Sequence, residues 1–176
     1  MPDPKLALLN SYEVHQDGVT HNLVCFLDPV LAGSRGIDPS SIIGSFTPAA
    51  DGSFDLQTFR LNPEFVAAFT RYMNEAAILS PDLLREAAGF PSGWLYIIDP
   101  RYPDDSPDAD PPASELVGCF AVDDAGQIVP KSFQYNKNHA WFDPDTGVSD
   151  LLSDRRFYDW LHRSAGHERG VEEVVP

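Results

Sequence analysis

The sequence predicts an α+β fold: a tandem duplication of a β-β-β-α unit, giving mostly antiparallel sheet with helices packed on it. Three observations predict it. One segment recurs at a constant spacing, short apolar runs stop at Asp-Pro, and each sheet-like segment leads on to an amphipathic stretch. Shifting residues 42–62 (IIGSFTPAADGSFDLQTFRLN) by 74 positions lays them without a gap on residues 116–136 (LVGCFAVDDAGQIVPKSFQYN). Gly44 then meets Gly118, Phe46 meets Phe120, Gly52 meets Gly126, Phe59 meets Phe133 and Asn62 meets Asn136. Upstream, LVCFLDP (residues 23–29) matches WLYIIDP (residues 94–100) at an offset of 71, and each following loop holds another Asp-Pro, at Asp38 and Asp110. The expected organisation is a single compact domain over residues 1–176, made of two repeats at about 22–80 and 93–166.

The elements follow from the punctuation. A strand pair is expected at residues 6–14 and 19–27, joined by a turn at Asp17-Gly18. An apolar run ended by Asp-Pro reads as a buried strand, because proline cannot donate to the ladder and restricts the residue before it. IIGSF and LVGCF are the next strands, each turning at a glycine (Gly52, Gly126) and returning through FDLQTFRL or IVPKSFQY as a hairpin. Phe46, Phe59, Phe120 and Phe133 are expected in the core. Asn62 caps a helix with Pro63 at its first position, and Phe65, Val66, Phe69, Tyr72, Met73 and Ala76 mark its apolar face over residues 64–79. A short helix at residues 81–88 follows Ser80 as its cap. In the second copy the helix is delayed to about residues 148–164, with Leu151, Leu152, Phe157, Trp160 and Leu161 as its apolar face and Gly166 as its stop.

Composition narrows the function. Twelve Lys and Arg against 27 Asp and Glu give a formal net charge of −15, which repels phosphate backbones and anionic headgroups, so neither nucleic acid nor membrane is expected as a partner. The same field attracts a basic protein. The first residues lack the basic start and apolar run of a secretory signal, no stretch is long and apolar enough to span a bilayer, and a cytoplasmic address is expected. Cys25 and Cys119 lie in apolar runs and read as small buried hydrophobes rather than a disulfide, a zinc site or a nucleophile. Residues 100–114 (PRYPDDSPDADPPAS) form a proline-rich loop that carries Asp104, Asp105, Asp108 and Asp110, where the matching loop LAGSRGIDPSS has Asp38 alone.

The second copy, from WLYIIDP through the acidic loop to VGCFAVDDAGQIVPKSFQYNKNH, resembles small actinobacterial proteins associated with type VII secretion systems. It departs from their pattern at Asn136-Lys137-Asn138, where a proline commonly follows the first asparagine; the first copy keeps Asn62-Pro63. The resemblance implies a bacterial accessory role near secreted or toxic proteins and carries no reaction with it.

Candidate chemistry centres on FQYNKNHAWFD, which follows a strand and concentrates Tyr135, Asn136, Asn138, His139, Trp141 and Asp143. A general base there would pair His139 with Asp143. The blander reading has Asn136 bonded to backbone in a turn while Trp141 and Phe142 fill the core. His162 and His167 are five apart, off the spacing that would place them on one helical face, and neither a metal nor another cofactor is expected. With no GxSxG elbow, phosphate loop, HExxH or CxxC present, the favoured function is a non-catalytic binding protein, an immunity or accessory factor for a basic toxin or secreted protein. Its partner-facing residues are expected at Asp104, Asp105, Asp108, Asp110, Tyr135, His139 and Trp141. The alternatives are a small hydrolase or transferase using His139 and Asp143, and a structural subunit that self-assembles through the repeat.

Overall fold

The computed structural model describes residues 9–26, 36–102, 112–143 and 147–168. Among the described residues the fold is α+β, with antiparallel sheets and three helices. The chain divides into two compact units, one of Met1–Ala68 with Ser153–Pro176 and the other of Phe69–Leu152. This division does not follow the repeat boundaries read from the sequence: it falls inside a helix and assigns the C-terminal helix to the first unit.

In the first unit four strands pair in sequence order, β1 (Asn10–Gln16), β2 (Val19–Cys25), β3 (Ile42–Phe46) and β4 (Arg60–Leu61), every neighbour antiparallel. Asp17 and Gly18 both take positive φ (51° and 78°), the two-residue turn whose twist suits a hairpin. The core under this sheet is aromatic. Phe26 lies 6.2 Å from Phe65 and 5.6 Å from Phe157, ring centre to ring centre, and all three are fully buried.

Helix α1 (Pro63–Glu75) starts where Asn62 caps it, the side-chain oxygen accepting from Glu64 N–H at 3.1 Å. Phe65, Phe69, Tyr72 and Met73 recur every three or four residues and are buried. The helix is shorter than the expected 64–79, closing into a 3-10 turn at Ala77–Leu79. Helix α2 (Pro81–Ala88) occupies its expected span, but Ser80 makes no side-chain capping bond and Pro81 alone sets the start.

The second unit holds β5 (Gly93–Ile98), β6 (Leu116–Val122) and β7 (Gln134–Tyr135) in that order, and a small pair, β8 (Phe142–Asp143) with β9 (Gly147–Val148). Helix α3 (Arg155–Glu168), in the first unit, begins later than the expected 148 and runs through Gly166. A 3-10 turn (Asp150–Ser153) takes up the first residues, and Asp154 accepts from Arg156 N–H at 2.9 Å to start the helix proper. A glycine inside a helix costs only about 1 kcal/mol, too little to end it.

Several bonds recur at the 74-residue shift. Asn62 donates from its amide to Pro39 O (2.8 Å) and Ile42 O (2.7 Å); Asn136 donates to Ala113 O (2.6 Å) and Leu116 O (2.7 Å). Gly52 N–H bonds Ala49 O as Gly126 N–H bonds Asp123 O, with φ of 81° and 71°. The return arms are not the full strands expected, because a hydroxyl replaces the ladder: Thr58 Oγ1 accepts from Thr47 N–H at 2.9 Å, and Ser132 Oγ from Ala121 N–H at 3.1 Å.

Gly44 and Gly118 are required by close approach. A Cβ on Gly44 would stand 2.6 Å from the Phe59 ring and against Arg60 O; on Gly118 it would stand 2.6 Å from the Phe133 ring and against Gln134 O. Gly44→Ala and Gly118→Ala are each expected to destabilise by about 1–3 kcal/mol, as overpacking does, read by urea denaturation. Wild-type stability in both would mean that the rings have room to retreat.

The upstream strands match at 73 rather than the expected 71. Val24 opposes Gly44 and Ile97 opposes Gly118; Phe26 N–H bonds Ser41 O and Asp99 N–H bonds Glu115 O. A bulge follows Val24 and likewise Ile97. Asp99 therefore stands at the place of Phe26. The aspartates Asp28 and Asp110, on which the sequence pairing relied, lie outside the described residues.

Candidate functional site

That one exchange defines the site. Where Phe26 puts an aromatic ring into the core, the matching register position of the other sheet holds a carboxylate, and Asp99 is fully buried. An isolated buried carboxylate is costly, so its oxygens demand donors. They find four. Oδ2 accepts from His139 Nε2 at 2.8 Å, from Ser149 Oγ at 2.5 Å and from Arg101 Nη2 at 3.1 Å, while Oδ1 accepts from Arg101 N–H at 3.1 Å.

Two of these donors come from residues 137–154, the stretch that separates Asn136 from its helix in the second copy but has no counterpart after Asn62. Asn136 starts the stretch, its side-chain oxygen accepting from Asn138 N–H at 3.1 Å and its carbonyl from His139 N–H at 3.0 Å. Ser149 is held by its N–H to Trp141 O at 2.9 Å. Arg101 ties both sides together, donating to Ala140 O and, at 2.6 Å, to Gly147 O. Its side chain and that of His139 are almost wholly inaccessible.

An aromatic wall encloses the imidazole. Trp141 meets it edge-on at 4.8 Å, donates from its indole to Tyr135 Oη at 2.7 Å and stacks on the Tyr135 ring at 6.2 Å. Phe69 of α1 packs edge-on against Trp141 at 5.0 Å. Burial pushes the Tyr135 phenol up to about 12 against the opposing effect of the Trp141 bond, so it stays protonated. For Asp99, burial alone would raise the carboxyl, but the bonds from His139, Ser149 and Arg101 outweigh it and hold the group well below the usual carboxylate range.

Chemically the cluster is an anion satisfied by a base, a hydroxyl and a cation. His139 and Ser149 both point at one carboxylate oxygen, so the hydroxyl is aimed at Asp99 and not at the imidazole that would activate it. His139 bonds Asp99 where the sequence suggested Asp143, which lies on β8 opposite Gly147. Among the described residues nothing bonds His139 Nδ1 or Arg101 Nε, both buried. Among the described residues no three His, Cys, Asp or Glu side chains gather as a metal would require.

Of the residues singled out in the sequence, Tyr135, His139 and Trp141 come together here. His139 and Trp141 are buried and Tyr135 half-buried, so they line the interior rather than the surface. Asp104, Asp105, Asp108 and Asp110 lie outside the described residues. Cys25 is buried and Cys119, on the outer face of β6, only half-buried, and neither forms a disulfide among the described residues. Sequence reasoning passed over Asp99, Arg101 and Ser149. Asp99 was readable in principle, as a charged residue at the position that Phe26 occupies in the other copy.

No family model, curated protein or solved structure matches the chain. Among the described residues no helix is long and apolar enough to cross a membrane.

Proposed function

We propose that the chain is a tandem duplication of the β-β-β-α unit and serves as a non-catalytic acidic binding protein. Its partner is a basic toxin or secreted protein, which it neutralises or escorts in the bacterial cytoplasm, in keeping with the resemblance to type VII secretion-associated proteins. The matched bonds and glycine contacts at a constant shift support the duplication. The observation that carries the binding reading is the fate of the reactive side chains. His139, Ser149 and Arg101 are enclosed and committed to Asp99, where they brace residues 137–154 against the sheet, while a net charge of −15 remains to act on the surroundings.

The test is capture of the partner from the source cell followed by association kinetics at low and raised ionic strength. Replacing Asp104, Asp105, Asp108 and Asp110 together with asparagine is expected to slow association about tenfold at low salt and flatten its salt dependence, with folding unchanged. An unchanged rate would remove the acidic loop from recognition.

A further inference from the structure

The two sheets differ at one edge. In the first unit β2 is covered by β1; in the second, β5 holds the equivalent position at the sheet margin, and among the described residues no strand pairs with its outer side. The alternation of backbone bonds says which groups face outward there. The two-residue turn makes Gln16 and Val19 a bonded pair, so Val14 with His21 and Tyr12 with Leu23 are bonded as well. His21 and Leu23 correspond to Trp94 and Tyr96. The same parity follows on the other side: Ala121 directs its N–H to Ser132 and its carbonyl to Val129 N–H, away from β5, so its partner Trp94 and, two residues on, Tyr96 turn their backbone groups to the open edge. Their side chains lie on the outer face, 45% and 47% exposed, while Leu95 between them is buried.

We infer that this edge is a docking site for an extended segment of a basic polypeptide, which adds antiparallel to β5 as β1 adds to β2. This rests on the binding function proposed above and names its surface. The first copy shows that the scaffold accepts a strand here. Charge selects the occupant: Asp123 and Asp124 follow β6 at the end where Val122 opposes Gly93, the chain as a whole carries −15, and a second copy of it would bring another −15. Lysine or arginine side chains opposite Trp94 and Tyr96 would lie over exposed rings, a cation–π contact.

The probe is a blocked ten-residue peptide alternating lysine with valine, its control the same peptide with glutamate for lysine, both added to the full chain at low ionic strength and followed by residue-resolved amide exchange. The lysine peptide is expected to slow exchange at Trp94 and Tyr96 at least about tenfold, and the control to leave it unchanged. Tyr96→Pro removes an outward N–H and the exposed ring but no bond from β5 to β6, so the Leu95 amide stays protected while the peptide effect is lost; Trp94→Lys is expected to weaken the peptide without touching the ladder. Lysine-peptide protection confined to other residues would overturn this surface and leave the basic-partner reading standing. Equal protection by both peptides, or by neither, would overturn both. Slow exchange at Trp94 and Tyr96 without peptide would also overturn the site, the edge being filled by a second copy if protection rises with protein concentration and by the chain's own residues if it does not.

Discussion

Replacing Asp99 with alanine is expected to lower stability by about 3–5 kcal/mol, because it leaves the buried Arg101 guanidinium without its anion and three further donors without an acceptor. Chemical denaturation reads the loss, and a shift below about 1 kcal/mol would mean that water enters and replaces the carboxylate. Asp99→Asn adds a test of charge. The Asp99 carboxyl is depressed in the folded state, so its contribution is complete above its unfolded value of about 3.9 and disappears as pH falls through the folded one. The stability gap between wild type and Asp99→Asn is therefore expected to be flat above about pH 5 and to narrow below about pH 4. A gap that persists into strong acid would mean that packing, not the ionised carboxylate, holds the cluster. Asp99→Phe, which installs the residue found at this place in the first copy, is not expected to rescue it, since Arg101 and His139 would remain buried without their acceptor.

The turns and the Asn62 cap were legible because each depends on one residue with a local reason, whereas Ser80 makes no capping bond and Gly166 does not end its helix. Gly52 and Gly126 supply positive φ, Asn62 and Asn136 each hold two carbonyls at matching positions, and the hydrophobic spacing of Phe65, Phe69, Tyr72 and Met73 could suit only a helix. Pairing by Asp-Pro placed β5 two residues off β2. A shift of two keeps every side chain on its own face, so alternation raised no objection. What it concealed was the substitution of Asp99 for Phe26, and with it the site. His139 was flagged, but its carboxylate is 40 residues away, and a contact of that range is written in the register of the sheet rather than in any local spacing. The lengths of β4 and β7 were missed for a different reason: a threonine or serine hydroxyl can take a ladder N–H, and nothing in FDLQTFRL or IVPKSFQY distinguishes that from a strand.

The equivalent phenylalanines Phe120 and Phe46 are expected to separate sharply on truncation. Phe120 is fully buried, its ring 4.9 Å from that of the buried Phe133, so Phe120→Ala should open a cavity and cost about 3–5 kcal/mol. Phe46 was expected in the core with it but is only half-buried, and Phe54, whose ring lies 4.8 Å from it, is itself 40% exposed. Water already reaches this ring, so Phe46→Ala removes less apolar area from the interior and should cost less than half as much. Urea denaturation of the two variants at matched conditions decides it through the midpoints at constant slope. Equal losses would mean that the two sheets bury these rings alike, and would remove the asymmetry in packing that here accompanies the asymmetry of the edge and of the Asp99 cluster.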